Sequence, residues 1–70
     1  VGRKGTASAV DPATASFVLI PSSGAPVTVR WTATTLFSHT TPQTLAGRRV
    51  EVEGMLDAGT LVARKIEAED

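Results

Sequence analysis

Apolar and polar residues alternate along most of this chain with a period of two. The clearest case is VTVRWTA at residues 27–33, where the valines and the tryptophan fall on one side and the threonines and arginine on the other. A period of two indicates β-strands with one buried face, because successive side chains of a strand point to opposite faces. No stretch of useful length shows a helical period. The pattern therefore predicts an all-β domain.

Five strands are predicted, each bounded by turn-forming residues. The first three are Lys4–Asp11, Phe17–Ile20 and Val27–Ala33, separated by the turn residues DPATAS and the loop PSSGAP. The last two form a hairpin within RRVEVEGMLDAGTLVARKIE, residues 48–67. We expect Gly59 of its DAG turn to take the positive φ of a bulged hairpin turn.

One irregular stretch, TTLFSHTTPQTLAG, separates the third and fourth predicted strands. Thr41 followed by Pro42 is typical of a helix N-cap with proline at the first helical position, and Gly47 of a helix end. We therefore predict one short helical turn over 42–46, with Leu45 closing one end of the core.

Two slips in the alternation predict β-bulges. In the last strand the apolar residue after Ala63 is Ile66, three positions on rather than two. A one-residue bulge around Arg64-Lys65 would return Ile66 to the inside. A similar slip follows Ala7 in the first strand, where the next apolar residue is Val10.

Five strands with a helical element between the third and fourth is the order of the OB-fold, a five-stranded Greek-key barrel. Gly5 and Gly54 lie where the strands of a small barrel must bend. An SH3-like barrel is the structural alternative. The predicted core consists of Phe17, Leu19, Val27, Val29, Trp31, Phe37, Leu45, Val50, Val52, Leu56, Leu61 and Ile66.

Composition excludes several classes of function. Seventy residues make one domain with a thin core, and the lack of cysteine excludes disulfides and thiolate chemistry. Lys+Arg and Asp+Glu are both 7, so the chain lacks the basic excess of most nucleic-acid-binding domains. No apolar run approaches the ~20 residues of a membrane helix. The opening VGRKG has no initiator methionine or signal-peptide core, so we expect residues 1–70 to be one domain cut from a longer protein.

The chain resembles a bacterial domain-of-unknown-function family, number 5666. The segments that carry the resemblance are GTASAVD, SFVLIP and VTVRWTATTLF, followed by LAGRRVEVEGMLDAGTLVARKIE. The resemblance implies an OB-like barrel and an extracytoplasmic setting in an exported or envelope-attached protein. It implies no catalytic residue. The alanine- and threonine-rich composition is common in exported bacterial domains and agrees with that setting.

Candidate catalytic groups are few. His39 is the single histidine and lies in a predicted loop, and the adjacent Ser38 has no nucleophile-elbow motif. Glu51 and Glu53 share a strand face, but no apolar residues flank them to tune one as a general acid. We expect no enzyme activity and no cofactor.

A soft-metal site is the next possibility. Trp31, His39 and Met55 loosely resemble the ligands of small periplasmic copper-carrying OB barrels. Those sites generally use more than one methionine, and this chain has one. We therefore expect no metal.

The remaining reading is a binding or structural accessory module for an unknown protein or surface ligand. Adjacent outward apolar residues on the second strand, and basic residues that could converge, suggest the binding surface. Single-stranded nucleic-acid binding is the alternative, although the aromatic residues fall in phase with the core. The candidate binding residues are Val18, Ile20, Arg30, Arg48, Arg49, Arg64 and Lys65.

The charges of the hairpin have a structural explanation. They are expected to face one another across it, with Arg49, Glu51 and Glu53 opposite Arg64, Lys65 and Glu67. Opposite charges facing across an antiparallel pair contribute about 0.2–1 kcal/mol each.

Glu51→Gln or Glu53→Gln should therefore change the free energy of unfolding by less than ~1 kcal/mol in urea melts, because exposed ion pairs are weak. A loss of several kcal/mol would contradict a solvated charge row.

Overall fold

Six β-strands make up the fold in the computed structural model, which describes residues 1–69. They are β1 (Gly2–Asp11), β2 (Ser16–Ile20), β3 (Val27–Arg30), β4 (Leu36–Ser38), β5 (Arg49–Asp57) and β6 (Thr60–Ala68). Five of them close a barrel in the order β1-β2-β3-β6-β5 and back to β1, with β3 and β6 parallel and the other pairs antiparallel. The predicted all-β, OB-like five-stranded barrel is confirmed. Within the described residues there is no helix able to cross a membrane.

The inward positions of the strands form one core. Phe17, whose ring centroid lies 6.3 Å from that of Trp31, is almost fully buried, and Trp31 makes an edge contact with Phe37 at 5.9 Å. Trp31 and Phe37 are only half-buried, at the border of the core. The core residues are Ala7, Phe17, Leu19, Val29, Leu45, Val50, Val52, Leu61, Ala63, Ile66 and Ala68.

The prediction for Leu56 is wrong, since its side chain is 50% exposed. The β5–β6 hairpin extends beyond the end of β1, which reaches only as far as Gly54 through the pair of backbone bonds between Val1 and Gly54. Leu56 has the inward phase, but at this height of the barrel no strand covers it.

The predicted helical turn over 42–46 is also wrong. The segment makes isolated turns, with the Thr44 N–H donating to the Thr41 carbonyl at 3.0 Å and the Arg48 N–H to the Leu45 carbonyl at 3.1 Å. Leu45 nevertheless closes the core as expected and has no exposed surface.

β1 accounts for the missing helix. The Gly47 N–H donates to the Ala7 carbonyl at 2.8 Å, and the Ala7 N–H donates to the Arg48 carbonyl at 2.9 Å. The backbone groups after Leu45 are therefore bonded to a strand. A helix of so few residues cannot compete with that pairing, because its first turn costs more than it gains.

β4 is a strand that the alternation did not predict. It pairs in parallel with β6, Leu36 beside Lys65 and Ser38 beside Glu67. β3 is shorter than expected and ends at Arg30 rather than Ala33, because the chain turns at once: the Thr32 N–H donates to Thr35 Oγ1 at 2.8 Å.

Both predicted bulges are confirmed. Glu53 pairs with Lys65 and Gly54 with Ala63, so Arg64 has no opposite residue in β5 and Ile66 returns to the core with no exposed surface. In β1 the register shifts between Ser8 and Asp11.

The turn of the β5–β6 hairpin differs from the expectation. Asp57 pairs directly with Thr60, and both Ala58 and Gly59 have positive φ, 51° and 85°, as in two-residue type I′ turns. The bulge expected at this turn is absent.

β6 crosses β5 at Gly54 in very close contact. A Cβ at position 54 would overlap the Val62 carbonyl oxygen and lie 2.8 Å from its carbon. Gly5 is similarly tight, since a Cβ there would lie 2.5 Å from the Ile20 carbonyl oxygen. The two predicted bending positions are therefore places where only glycine fits.

Gly54→Ala should destabilise the fold by at least ~2 kcal/mol, because rigid backbone atoms occupy the space of the added methyl group. Gly2→Ala is the matched control in the same sheet, where the nearest atom to an added Cβ is 3.9 Å away and belongs to the flexible Glu53 side chain. Urea unfolding of both variants measures the difference. Equal stabilities would contradict the close crossing.

Candidate functional site

The charged residues of the hairpin are mostly paired on the surface. Arg64 is bonded to Glu53, Lys65 lies 3.6 Å from Glu67, and Lys4 of β1 lies 3.5 Å from Glu69. All are at least partly exposed, so each pair contributes little stability.

The predicted facing of the charges is only partly right. Glu53 does lie opposite Lys65, but Glu51 lies opposite Glu67 and next to Lys4 on β1. The bulge at Arg64 changes the register beyond it by one residue, which brings two like charges across from each other.

The basic residues do not form a continuous positive edge. Arg49 lies on β5 opposite Thr6, and Thr6 in turn lies opposite Ile20. Arg48 is half-buried just before β5. Arg64 and Lys65 of β6 are each paired with a glutamate, Glu53 and Glu67, so the candidate cations do not add up to a continuous positive surface.

Val18 and Arg30 share the outer face of β2 and β3. Val18 is half-buried opposite Thr28, and Arg30 is exposed opposite Ser16. On its other side Arg30 pairs with Val62 of β6. Within residues 1–69 the Arg30 guanidinium has no hydrogen-bond or ion-pair partner.

A shallow groove lies beside this face, at the β6 bulge. We call it the bulge groove; its volume is about 520 Å³ and it is lined by Thr32, Thr34, Gly54, Met55, Val62, Ala63 and Arg64. This is within the range of small-ligand and side-chain pockets and much larger than an ion site.

The strand pattern explains why the groove forms there. The edge of β6 pairs with β3 as far as Val62 and with β4 from Lys65 onward. Between them no strand covers Ala63, whose carbonyl accepts a hydrogen bond from Thr35 Oγ1 at 2.6 Å. The surface is hollow in this uncovered interval, which Gly54 also lines from the facing strand.

Of the groove residues, sequence reasoning identified only Arg64 as a binding candidate. The alternation of the hairpin strands could have identified two more groove residues, because it places Met55 and Val62 on the outward face. Met55 and Val62 are each two residues from the paired turn ends Asp57 and Thr60 and lie directly opposite each other. Two facing apolar residues on an outward row are a starting point for locating a surface that a partner or ligand covers.

The catalytic candidates His39 and Ser38 are neighbours on the surface. His39 is exposed, has a φ of 62°, and its Nδ1 lies 3.2 Å from the hydroxyl of the neighbouring Ser38. No carboxylate in the described part of the chain is bonded to the imidazole, so nothing orients it as a general base.

Met55 and His39, two of the three soft-metal candidates, lie apart. Met55 is opposite Val62, whereas Ser38, the residue before His39, is beside Glu67, five positions further along β6. At the rise of a strand this separation is about 15 Å. Trp31 packs between Phe17 and Phe37. No group of three or more His, Cys, Asp or Glu that could hold a metal occurs among residues 1–69. These residues do not fit a soft-metal site.

The fold and surface define a small closed β-barrel of OB-like strand order. The chain belongs to the family described as Domain of unknown function (DUF5666), which matches residues 4–67. No curated protein sequence matches it.

Among solved structures, the chain is similar to the crystal structure of Ag(I)CusF. The TM-score is 0.75 at 10% sequence identity, covering 99% of this chain and 96% of the other. At this identity the likeness shows a shared fold.

Addition of Cu(I) under reducing conditions should leave the fluorescence of Trp31 unchanged, because Met55 and His39 cannot reach one ion. Saturable quenching at one equivalent that Met55→Leu abolishes would contradict the separation of these residues.

Proposed function

We propose that this domain is a non-catalytic binding module that holds a partner protein at the bulge groove. The observation that carries the proposal is the pair of facing apolar side chains on the groove wall, Met55 and Val62. Met55 is 76% exposed on the groove wall, and Val62 opposite it is half-buried. Large apolar side chains grouped on the surface of a small domain indicate a surface that a partner covers.

The aromatic residues favour a protein ligand over single-stranded nucleic acid. OB barrels bind single strands by stacking bases on exposed aromatic rings. Here Phe17 is 1% exposed, and Trp31 is held between Phe17 and Phe37. The net charge of zero supplies no general attraction for phosphates.

We propose that the module works within a larger exported bacterial protein, outside the cytoplasm. Its resemblance to a family typical of such proteins and its alanine- and threonine-rich composition support this setting. The similarity to Ag(I)CusF does not lead us to propose a metal ligand, because the soft side chains of this chain are far apart.

A photo-crosslinking amino acid at position 55 tests the proposal in cells that produce the protein. The Met55 side chain is exposed and makes no hydrogen bond, so its replacement should not disturb the fold. Discrete protein adducts are expected from position 55 and not from position 23, in the exposed loop between β2 and β3. Identical adducts from both positions, nucleic-acid adducts, or none would count against a protein-binding groove.

A further inference from the structure

We infer that the bulge groove selects an extended peptide segment in which an acidic residue is close to an apolar one. The apolar side chain would lie against Met55 and Val62, and the carboxylate would pair with Arg30. This inference rests on the proposed function and specifies the chemistry of its partner.

An outward row of three side chains crosses three strands at this point. Val62 of β6 lies opposite Met55 of β5 on one side and beside Arg30 of β3 on the other. Neighbouring strands are about 4.8 Å apart, so the backbones of Met55 and Arg30 are about 10 Å apart. Two to three residues of an extended peptide span this distance at about 3.3 Å each. One short segment can therefore contact the whole row.

The charges decide which end of the segment is acidic. Arg64, at the groove, is already bonded to Glu53, and Lys4 and Lys65 are paired with Glu69 and Glu67. The exposed guanidinium of Arg30 has no such partner in residues 1–69. Arginine binds carboxylates through two parallel hydrogen bonds, so an Asp or Glu side chain is the natural partner, and a lysine would be repelled.

One threonine on the groove wall suits a peptide backbone. Thr32 and Thr34 are exposed, and their hydroxyl oxygens lie 3.1 Å apart. Each hydroxyl can donate one hydrogen bond and accept two. Thr32 Oγ1 already accepts from the Thr34 N–H and contacts the hydroxyls of Thr34 and Thr35, so Thr34 is the one that retains capacity for an amide group of an extended segment.

A second copy of the chain is a less suitable occupant on grounds of area. A stable interface buries about 800 Å² on each partner, a large share of the 4112 Å² of surface measured for this small domain. The apolar side chains of the groove wall, chiefly Met55 and Val62, cover only part of such an area. A short segment needs much less.

Two synthetic peptides test the inference by titration into the ¹⁵N-labelled protein. The first is acetyl-Ser-Asp-Val-Asp-Leu-Asp-Val-Ser-amide, and the second has lysine at every aspartate position. The acidic peptide should shift the amide signals of Thr32, Met55 and Val62 and bind about tenfold or more tightly than the lysine peptide, since a carboxylate can accept charge-assisted hydrogen bonds from Arg30 and a lysine cannot.

Arg30→Gln should weaken binding of the acidic peptide about tenfold. Arg49→Gln is the matched control, because Arg49 is also exposed and without an ion-pair partner in the described residues but lies away from the groove. The affinity of the Arg49→Gln variant for the acidic peptide should stay within about twofold of that of the unmodified protein, well below the tenfold effect of losing a charged hydrogen bond.

Equal affinity for the two peptides, shifts outside the groove, an effect of Arg49→Gln equal to that of Arg30→Gln, or no binding of either peptide would each overturn the inference. Shifts that depend on protein concentration without peptide would indicate self-association and would overturn it too. If position 55 still forms protein adducts in cells, the binding module stands and only the acidic preference fails. If those adducts are absent as well, the proposed function fails.

Discussion

The Val62–Ala63 peptide of β6 lies against Gly54 of β5 so closely that no side chain fits between the two strands. Among the glycines of this barrel, Gly54 has the closest backbone neighbour, and the register of β6 changes beside it. Because Arg64 has no opposite residue in β5, Ile66 returns to the core. The parallel contacts of β6 are divided between β3 and β4. The bulge groove is the uncovered interval between those two contacts. The same constraint thus closes the core and opens the candidate binding surface.

Stability and binding are placed on different faces of the same hairpin. The inward residues Val50, Val52, Leu61 and Ile66 are fully buried, and burial of such residues is the dominant favourable term in a chain without disulfides. The outward ion pairs are exposed and weak, and the apolar pair Met55–Val62 adds little to the core. The outward side chains of the hairpin can therefore be substituted to suit a partner with little loss of folding stability.

Much of the fold could be predicted from the sequence, because alternation reports which face of a strand is buried. The slip between Ala63 and Ile66 correctly indicated a bulge, and Leu45 was correctly assigned to the core. The helical turn over 42–46 failed because capping residues describe local preference, whereas β1 takes the backbone groups of Gly47 and Arg48. β4 was missed because three residues in parallel pairing have no pattern of their own. The groove could not be predicted, since it depends on where β3 ends and β4 begins along β6.

Interstrand nuclear Overhauser effects between β5 and β6 in solution test the central claim most directly. The bulge places Glu53 opposite Lys65 and Gly54 opposite Ala63, with Arg64 skipped, and contacts between those two pairs are the expected result. An unbroken register from the Asp57–Thr60 turn would instead place Glu53 opposite Arg64 and Val52 opposite Lys65. That result would turn Ile66 toward solvent, remove the groove, and contradict this description of the barrel.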